Sequence, residues 1–184
     1  MHDVKKILET PKETLSIEFK REWYWNQDNE NKGRLSWDEF LKDFTALCNV
    51  LDDNKYFIIG VSDDGKEYFN YFEDSNKNKL NFFNRDLDEI KNEIIKKILN
   101  SFECYYFDNQ LLDNEKDIFI KNIIFNVVDI NDKQILVVKV NQFPFLLRLQ
   151  SKRDLKKYRE KSILIRTIND NGPACTVLDE VERE

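Results

Sequence analysis

Two hydrophobic periods alternate along this chain, and together they limit the folds that it can adopt. Residues 15–20 alternate strictly between apolar and polar side chains, which is typical of a strand with one buried face. Residues 37–50 carry apolar side chains at helical spacing, and residues 56–61 form a short apolar strand. Because strands and helices are intermixed, the chain is predicted to be an α+β domain, with a mixed β-sheet packed against two main helices.

Local signals predict where further elements begin and end. Ser36 followed by Glu39 has the capping-box pattern at the start of the first helix. Asp86 is expected to cap the second helix, whose apolar face consists of Leu87, Ile90, Ile94, Ile98 and Leu99. The remaining patterns predict a hairpin of residues 118–128 and 134–140 across Asn131-Asp132, and strands around residues 67–72, 145–149 and 162–167.

Length and composition fit one domain. The chain has 184 residues, of which 41% are hydrophobic, so it can bury a core. We expect a single domain over residues 1–184, with its core at about 9–175 and a charged tail at 176–184. No apolar run approaches the roughly 18–20 residues that a membrane span needs, and three widely spaced cysteines fit a reducing compartment. These features predict a cytoplasmic protein without a membrane partner.

Two common classes of catalytic site are excluded by the residues that the chain lacks. No phosphate-binding G-x-x-x-x-G-K-[ST] motif is present, which excludes a P-loop nucleotidase. The only histidine is His2, so histidine-based triads and zinc sites have no ligands in the body of the chain. Any catalysis must therefore use carboxylates, lysines, hydroxyls or a hard metal ion.

The strand at residues 15–20 places Glu18 and Lys20 on its polar face. A carboxylate and an ammonium held together suit metal-assisted phosphodiester cleavage, in which lysine positions or activates water or neutralises charge on the phosphate. Glu13 lies at the start of this strand, and Asp63 follows the apolar strand. Three carboxylates without His or Cys suit Mg²⁺ or Mn²⁺.

Two alternatives to this carboxylate site remain open on the pattern alone. Asp64 is a second candidate for the third ligand, because a turn can present either of two neighbouring aspartates. An ordinary solvent-exposed Glu-x-Lys pair is the other interpretation, and the pattern by itself favours it, since the chain has 35 acidic residues.

Positive charge is concentrated late in a chain whose net charge is −6. A basic strip over residues 148–166 is expected to contact a nucleic-acid backbone, and Tyr158 is expected to stack on an unpaired base. The competing interpretation is an ordinary solvated segment. The predicted nucleic-acid-binding residues are Arg148, Lys152, Arg153, Lys156, Lys157, Arg159 and Arg166.

An ordered set of motifs resembles the Schlafen AlbA-2 domain family. Residues 13–20 (ETLSIEFK) resemble its opening E-x-x-x-hydrophobic-E-F-K, and residues 46–49 (ALCN) are similar to its A-x-A-N. Residues 57–65 (FIIGVSDDG) resemble its hydrophobic-G-V-x-D-x-G, and the segments near residues 135–140, 144, 162–167 and 173–174 are similar to its ending. The match spans about residues 9–175. The family's Gly-Gly after the asparagine is replaced here by residues 50–54, and Thr167 stands where it has a glycine.

The resemblance implies an α+β fold and a nucleic-acid-directed role. In nuclease members of the family three acids bind a divalent metal and cleave RNA, notably tRNA, and these acids fall on Glu13, Glu18 and Asp63. The chain is therefore expected to be an endoribonuclease dependent on Mg²⁺ or Mn²⁺ that acts on structured RNA, in a stress or anti-phage response. Nuclease members resemble two such lobes around a groove, so a homodimer is expected. The alternatives are a non-catalytic nucleic-acid-binding module and a sensor domain of a larger protein.

Overall fold

A computed structural model describes residues 2–24, 36–71, 86–106, 114–150, 155, 157–169 and 172–178. The helices are α1 (His2–Glu9), α2 (Trp37–Cys48), α3 (Leu87–Ser101) and α4 (Glu115–Asn122). The strands are β1 (Ile17–Lys20), β2 (Lys55–Ile59), β3 (Phe102–Tyr106), β4 (Ile123–Ile130), β5 (Lys133–Val140), β6 (Phe145–Leu149), β7 (Ile163–Asn169) and β8 (Gly172–Leu178). Within these residues, no helix combines the length and apolar character needed to cross a membrane.

The eight strands form two four-stranded sheets. The first has the order β1-β2-β5-β4; β1 runs parallel to β2, and the other pairs are antiparallel. The second sheet, β3-β6-β7-β8, is antiparallel throughout. The predicted α+β class with a mixed sheet is confirmed, and the strands divide into two sheets, which the sequence pattern did not predict.

Strand β2 is apolar because both faces of the first sheet are covered. Phe57 and Ile59 face the larger core, which includes α2, α3 and strands of the second sheet. Tyr56 and Ile58 face a smaller core, to which α1 contributes Val4 and Leu8. A strand between two covering layers has no polar face, which explains its continuous apolar run.

Asn49 fastens the end of α2 to the second sheet. It is buried, and its side-chain amide donates to the carbonyls of Leu147 at 3.0 Å and Leu164 at 2.8 Å. Its side-chain oxygen accepts from the Leu147 amide at 2.7 Å. Three backbone groups of β6 and β7 therefore depend on one side chain for their hydrogen bonds.

A buried lysine completes the turn after α2, where the family's two glycines are missing. The Lys55 side chain donates to the carbonyls of Cys48 at 3.1 Å and Val50 at 2.9 Å. A cation at this position satisfies the carbonyl of Cys48, the last residue of α2, and is favoured by the helix dipole. Burial nevertheless lowers the pKa of Lys55.

Several local predictions are confirmed. Helix α2 buries Phe40, Leu41, Phe44, Leu47 and Cys48, as its spacing predicted. Asp86 accepts from the Glu89 amide at 2.8 Å and caps α3. Strands β4 and β5 form the predicted hairpin, and β6 and β7 lie where strands were predicted.

Other local predictions are wrong. Residues 118–122 belong to α4 rather than to a strand, because Phe119 is buried against Phe143 and Phe145 from a helix. The capping box at Ser36 does not form: its hydroxyl donates to Asp38, and Glu39 pairs with Lys42. Around residues 67–72 the described residues contain an isolated bridge at Tyr68 rather than a strand, and residue 72 lies outside them. Elements α1, β3 and β8 were not predicted.

Replacing Asn49 with Ala is expected to destabilise the protein by about 3 kcal/mol, because three buried backbone groups lose their partner. Urea unfolding monitored by circular dichroism measures the change. Asn126→Ala on the exposed side of β4 is the matched control, with an expected effect within about 0.5 kcal/mol. Equal stability of the two variants would show that the Asn49 contacts contribute nothing to the free energy of unfolding.

Candidate active-site cleft

The predicted catalytic residues line one cleft of about 410 Å³. The cleft lies where β1, α2 and the turn after β2 approach strands β7 and β8 of the second sheet. Its lining residues are Glu13, Glu18, Lys20, Lys42, Asp43, Ala46, Asp63, Tyr158, Arg166, Pro173, Ala174 and Cys175. The structure thus brings Glu13, Glu18, Lys20 and Asp63 to one place from two separate segments of the chain.

Glu18 is a buried carboxylate with a cation at each oxygen. The residue is 7% exposed, its Oε1 lies 2.5 Å from Lys20 Nζ, and its Oε2 accepts from the Arg166 guanidinium. The Glu18–Lys20 pair is therefore not the solvent-exposed pair that the pattern alone favoured. Its carboxylate is held between two strands from different sheets.

Glu13 and Arg166 also satisfy backbone groups on the free edge of β1. The Arg166 guanidinium donates to the carbonyls of Thr14 at 3.0 Å and Ile17 at 3.2 Å. Glu13 Oε1 accepts from the Phe19 amide at 3.0 Å. The carbonyls of Thr14 and Ile17 also accept from each other's amides, so Arg166 adds to the bonds that fix residues 14–17, and Glu13 and Arg166 both hold this segment at the cleft.

Burial and the neighbouring charges shift the pKa values of two of the catalytic candidates. Burial raises the pKa of Glu13, against the opposing effect of the Phe19 amide. Burial alone would lower the pKa of Lys20, but the carboxylates of Glu18 and Asp43 outweigh it and raise that pKa. Lys20 is therefore a cation at neutral pH, which suits charge neutralisation better than activation of water.

Asp43 and Tyr24 belong to the same cluster, and neither was predicted from the sequence. The Tyr24 hydroxyl donates to Asp43 Oδ2 at 2.5 Å, and that oxygen lies 3.4 Å from Lys20 Nζ. Burial and the neighbouring carboxylate raise the pKa of Tyr24 well above its ordinary value, so the phenol remains a donor. One signal was available: Asp43 is an acid inside an apolar helical stripe, three residues after Phe40 and four before Leu47.

The turn after β2 presents Asp63 to the cleft and uses Asp64 for its own hydrogen bonds. Asp64 Oδ1 accepts from the Ser62 hydroxyl at 2.6 Å and from the Lys66 amide at 3.1 Å. Gly65 has φ +72°, and a Cβ there would meet Pro11 Cβ at 2.0 Å. This close approach packs the turn against the segment just before Glu13 and explains why a glycine is required.

The described members of the basic strip do not form one continuous surface. Arg148 on β6 pairs with Glu103 at 2.6 Å, and Arg166 is buried in the cleft. Lys157 and Arg159 are exposed on either side of Tyr158, which lines the cleft. The two arginines lie on strands and already pair with carboxylates, and contact of the strip with a nucleic acid stays a prediction. The other predicted members, Lys152, Arg153 and Lys156, lie outside the described residues.

The donor chemistry of the cleft fits a hard divalent cation, but the carboxylates are not already gathered around one. Glu13, Glu18 and Asp63 offer oxygen ligands, which Mg²⁺ and Mn²⁺ prefer. Across the described ranges, however, no three Asp, Glu, Cys or His side chains are arranged to hold a metal ion. Both oxygens of Glu18 already have a cationic partner, so a metal ion bound there would share these oxygens with the Lys20 ammonium and the Arg166 guanidinium.

Comparison with known proteins gives a family match and a similar fold. The sequence model of the family Schlafen, AlbA_2 matches residues 13–174. No curated protein matches the chain. Among solved structures, the DIP2311 protein from Corynebacterium diphtheriae superposes with a TM-score of 0.50 at 13% sequence identity. That alignment covers 97% of this chain and 26% of the other, so this chain spans about a quarter of that protein's length.

Glu13→Gln is expected to stabilise the metal-free protein at neutral pH. A carboxyl group whose pKa is raised on folding favours the folded state when protonated, so its ionisation costs stability above that pKa. Glutamine carries no charge and keeps the acceptor for the Phe19 amide. The gain in the free energy of unfolding should be present at pH 7. It should shrink as the pH falls through the pKa of Glu13 in the folded protein, and it should be constant below about 4.3.

Thermal unfolding in EDTA between pH 3.5 and 8 tests this expectation. The exposed Glu67→Gln is the matched control and should show no such trend. A gain for Glu13→Gln that does not depend on pH would contradict the assigned burial of the charge.

Proposed function

The chain belongs to the Schlafen AlbA_2 family, and from this premise we propose that it is a divalent-metal-dependent endoribonuclease that cleaves structured RNA such as tRNA. Family membership indicates a nucleic-acid-related role. The observation that carries the finer proposal is the convergence of Glu13, Glu18, Lys20 and Asp63 on one cleft. A homodimer in the cytoplasm, acting in stress or anti-phage defence, is part of the same proposal.

The residues of the cleft have separate roles in the proposed reaction. Glu13, Glu18 and Asp63 would hold Mg²⁺ or Mn²⁺, which when bound supplies Lewis-acid polarisation of the phosphodiester. The Lys20 ammonium neutralises negative charge that develops on the phosphate oxygens. Arg166 orients Glu18 through the buried ion pair and keeps the edge of β1 in place.

RNA is proposed to enter along the exposed residues beside Tyr158. The Lys157 side chain is 76% exposed, and its Nζ lies 3.4 Å from Glu39 Oε1. The other oxygen of Glu39 pairs with Lys42, which lines the cleft. Lys157 and Arg159 therefore lie where a phosphate backbone leading into the cleft would pass, and Tyr158 offers a ring to an unpaired base.

A second candidate function is a non-catalytic nucleic-acid-binding module. The pairing of both Glu18 oxygens with cations favours it, because that arrangement leaves the carboxylate neutralised without a metal ion. In this alternative the acids maintain the fold, and binding depends on the exposed basic residues alone.

The nuclease proposal predicts cleavage of tRNA in Mg²⁺ or Mn²⁺ and none in EDTA. Glu18→Gln and Asp63→Asn should each lower the single-turnover cleavage rate by at least about 100-fold, since each removes a proposed metal ligand. Asp64→Asn is the matched control from the same turn and should retain most of the activity. Equal cleavage by the wild type, Glu18→Gln and Asp63→Asn would refute the proposal.

Binding and cleavage can be separated in the same preparations. Lys157→Gln combined with Arg159→Gln should weaken tRNA binding several-fold and reduce its dependence on salt, because two phosphate contacts are lost. Fluorescence anisotropy at several salt concentrations measures this. Full binding by Asp63→Asn, together with a wild type that never cleaves, would instead support the binding module.

A further inference from the structure

We propose that Asp43, fixed by Tyr24, is a positioning residue that holds the Lys20 ammonium at the reacting phosphate. The inference rests on the proposed nuclease function and adds to it two residues from outside the predicted site. It starts from the geometry around Lys20, whose long side chain needs contacts on more than one side to remain in one place.

Two carboxylates hold the Lys20 ammonium from different elements. Glu18 Oε1, from the same strand, lies 2.5 Å from Nζ, and Asp43 Oδ2, from α2, lies 3.4 Å away. One contact along the strand restrains the ammonium in one direction, and the contact from α2 restrains it in another. An ammonium has three donors, so two carboxylates leave one donor for a substrate oxygen.

Asp43 is itself mostly buried and is attached to the hydrophobic core. Its side chain is 15% exposed, and the Tyr24 hydroxyl donates to the same Oδ2 that faces Lys20. The Tyr24 ring packs against Phe40 and Phe57, at centroid distances of 5.9 Å and 6.3 Å. The position of Lys20 therefore depends on the packing of α2 on β2.

The other oxygen of Asp43 faces a second, independently held lysine. Lys42 Nζ lies 3.5 Å from Asp43 Oδ1 and 2.6 Å from Glu39 Oε2. Because Glu39 already holds Lys42, loss of the Asp43 charge leaves Lys42 with a partner. Lys20, in contrast, loses its contact with α2, so the effect of an Asp43 substitution is expected to appear at Lys20.

Asp43→Asn is the test substitution, because asparagine keeps an acceptor for Tyr24 and removes the charge that attracts Lys20. The single-turnover cleavage rate should fall by about 10- to 100-fold, with KM for tRNA changed by less than about twofold. Tyr24→Phe should lower the rate in the same direction by a smaller factor. Asp88→Asn, exposed on α3, is the matched control and should cleave like the wild type.

A double-mutant cycle distinguishes positioning from general damage to the fold. In a Lys20→Met background, Asp43→Asn should cause no further loss, because its effect is transmitted through Lys20. If Asp43→Asn lowers the cleavage rate by the same factor with and without Lys20, the inference is overturned. Urea unfolding of each variant, compared with Asp88→Asn, accounts for any loss of folded protein.

A measurement without RNA keeps this inference separate from the proposed function. Nitrogen-15 relaxation of the Lys20 ammonium, in lysine-labelled protein, reports how tightly it is held. Its order parameter should fall in Asp43→Asn and remain unchanged in Asp88→Asn. An unchanged value in Asp43→Asn overturns the positioning role, whereas absence of cleavage by a wild type with an ordered ammonium overturns the nuclease proposal.

Discussion

The buried ion pair between Glu18 and Arg166 is the interaction on which both the cleft and the edge of the first sheet depend. It joins β1 of one sheet to β7 of the other, and the same guanidinium occupies two carbonyls of the segment that contains β1. Breaking a buried pair by removing one partner costs about 3–5 kcal/mol, because the remaining charge is left uncompensated. The residue proposed to hold a metal ion is therefore also a structural residue, and its substitution must be interpreted with a measurement of folding beside it.

The cleft contains charges of both signs, which suits the proposed binding of a phosphodiester by an acidic chain. Four carboxylates and three cationic side chains line the same space, so neither sign dominates locally. The carboxylates suit a divalent cation and the cations suit a phosphate, and each set limits the repulsion that the other would feel. A net charge of −6 for the whole chain therefore says little about this surface.

Local periodicity predicted several elements, among them β1, α2, β2 and α3, whereas the partners of individual side chains depend on long-range contacts. The alternation of residues 15–20 placed Glu18 and Lys20 on one face, and the turn after β2 predicted the position of Asp63, because both follow from neighbours in sequence. The roles of Asp43 and Arg166 depend on partners 23 and 148 residues away, which local periodicity does not identify. The only local signal for Asp43 is its position as an acid within an apolar helical stripe. Residues 118–122 show the same limit: they were predicted as the start of a strand, but packing of Phe119 against Phe143 and Phe145 selects a helix.

The proposed nuclease activity depends on a divalent ion held in the cleft by Glu13, Glu18 and Asp63. Anomalous diffraction from crystals soaked in Mn²⁺ tests this most directly. We expect a manganese peak within about 2.1 Å of oxygens from Glu13, Glu18 and Asp63. If the crystallised protein cleaves RNA in solution but its cleft holds no manganese at saturating concentration, the proposed metal site is wrong.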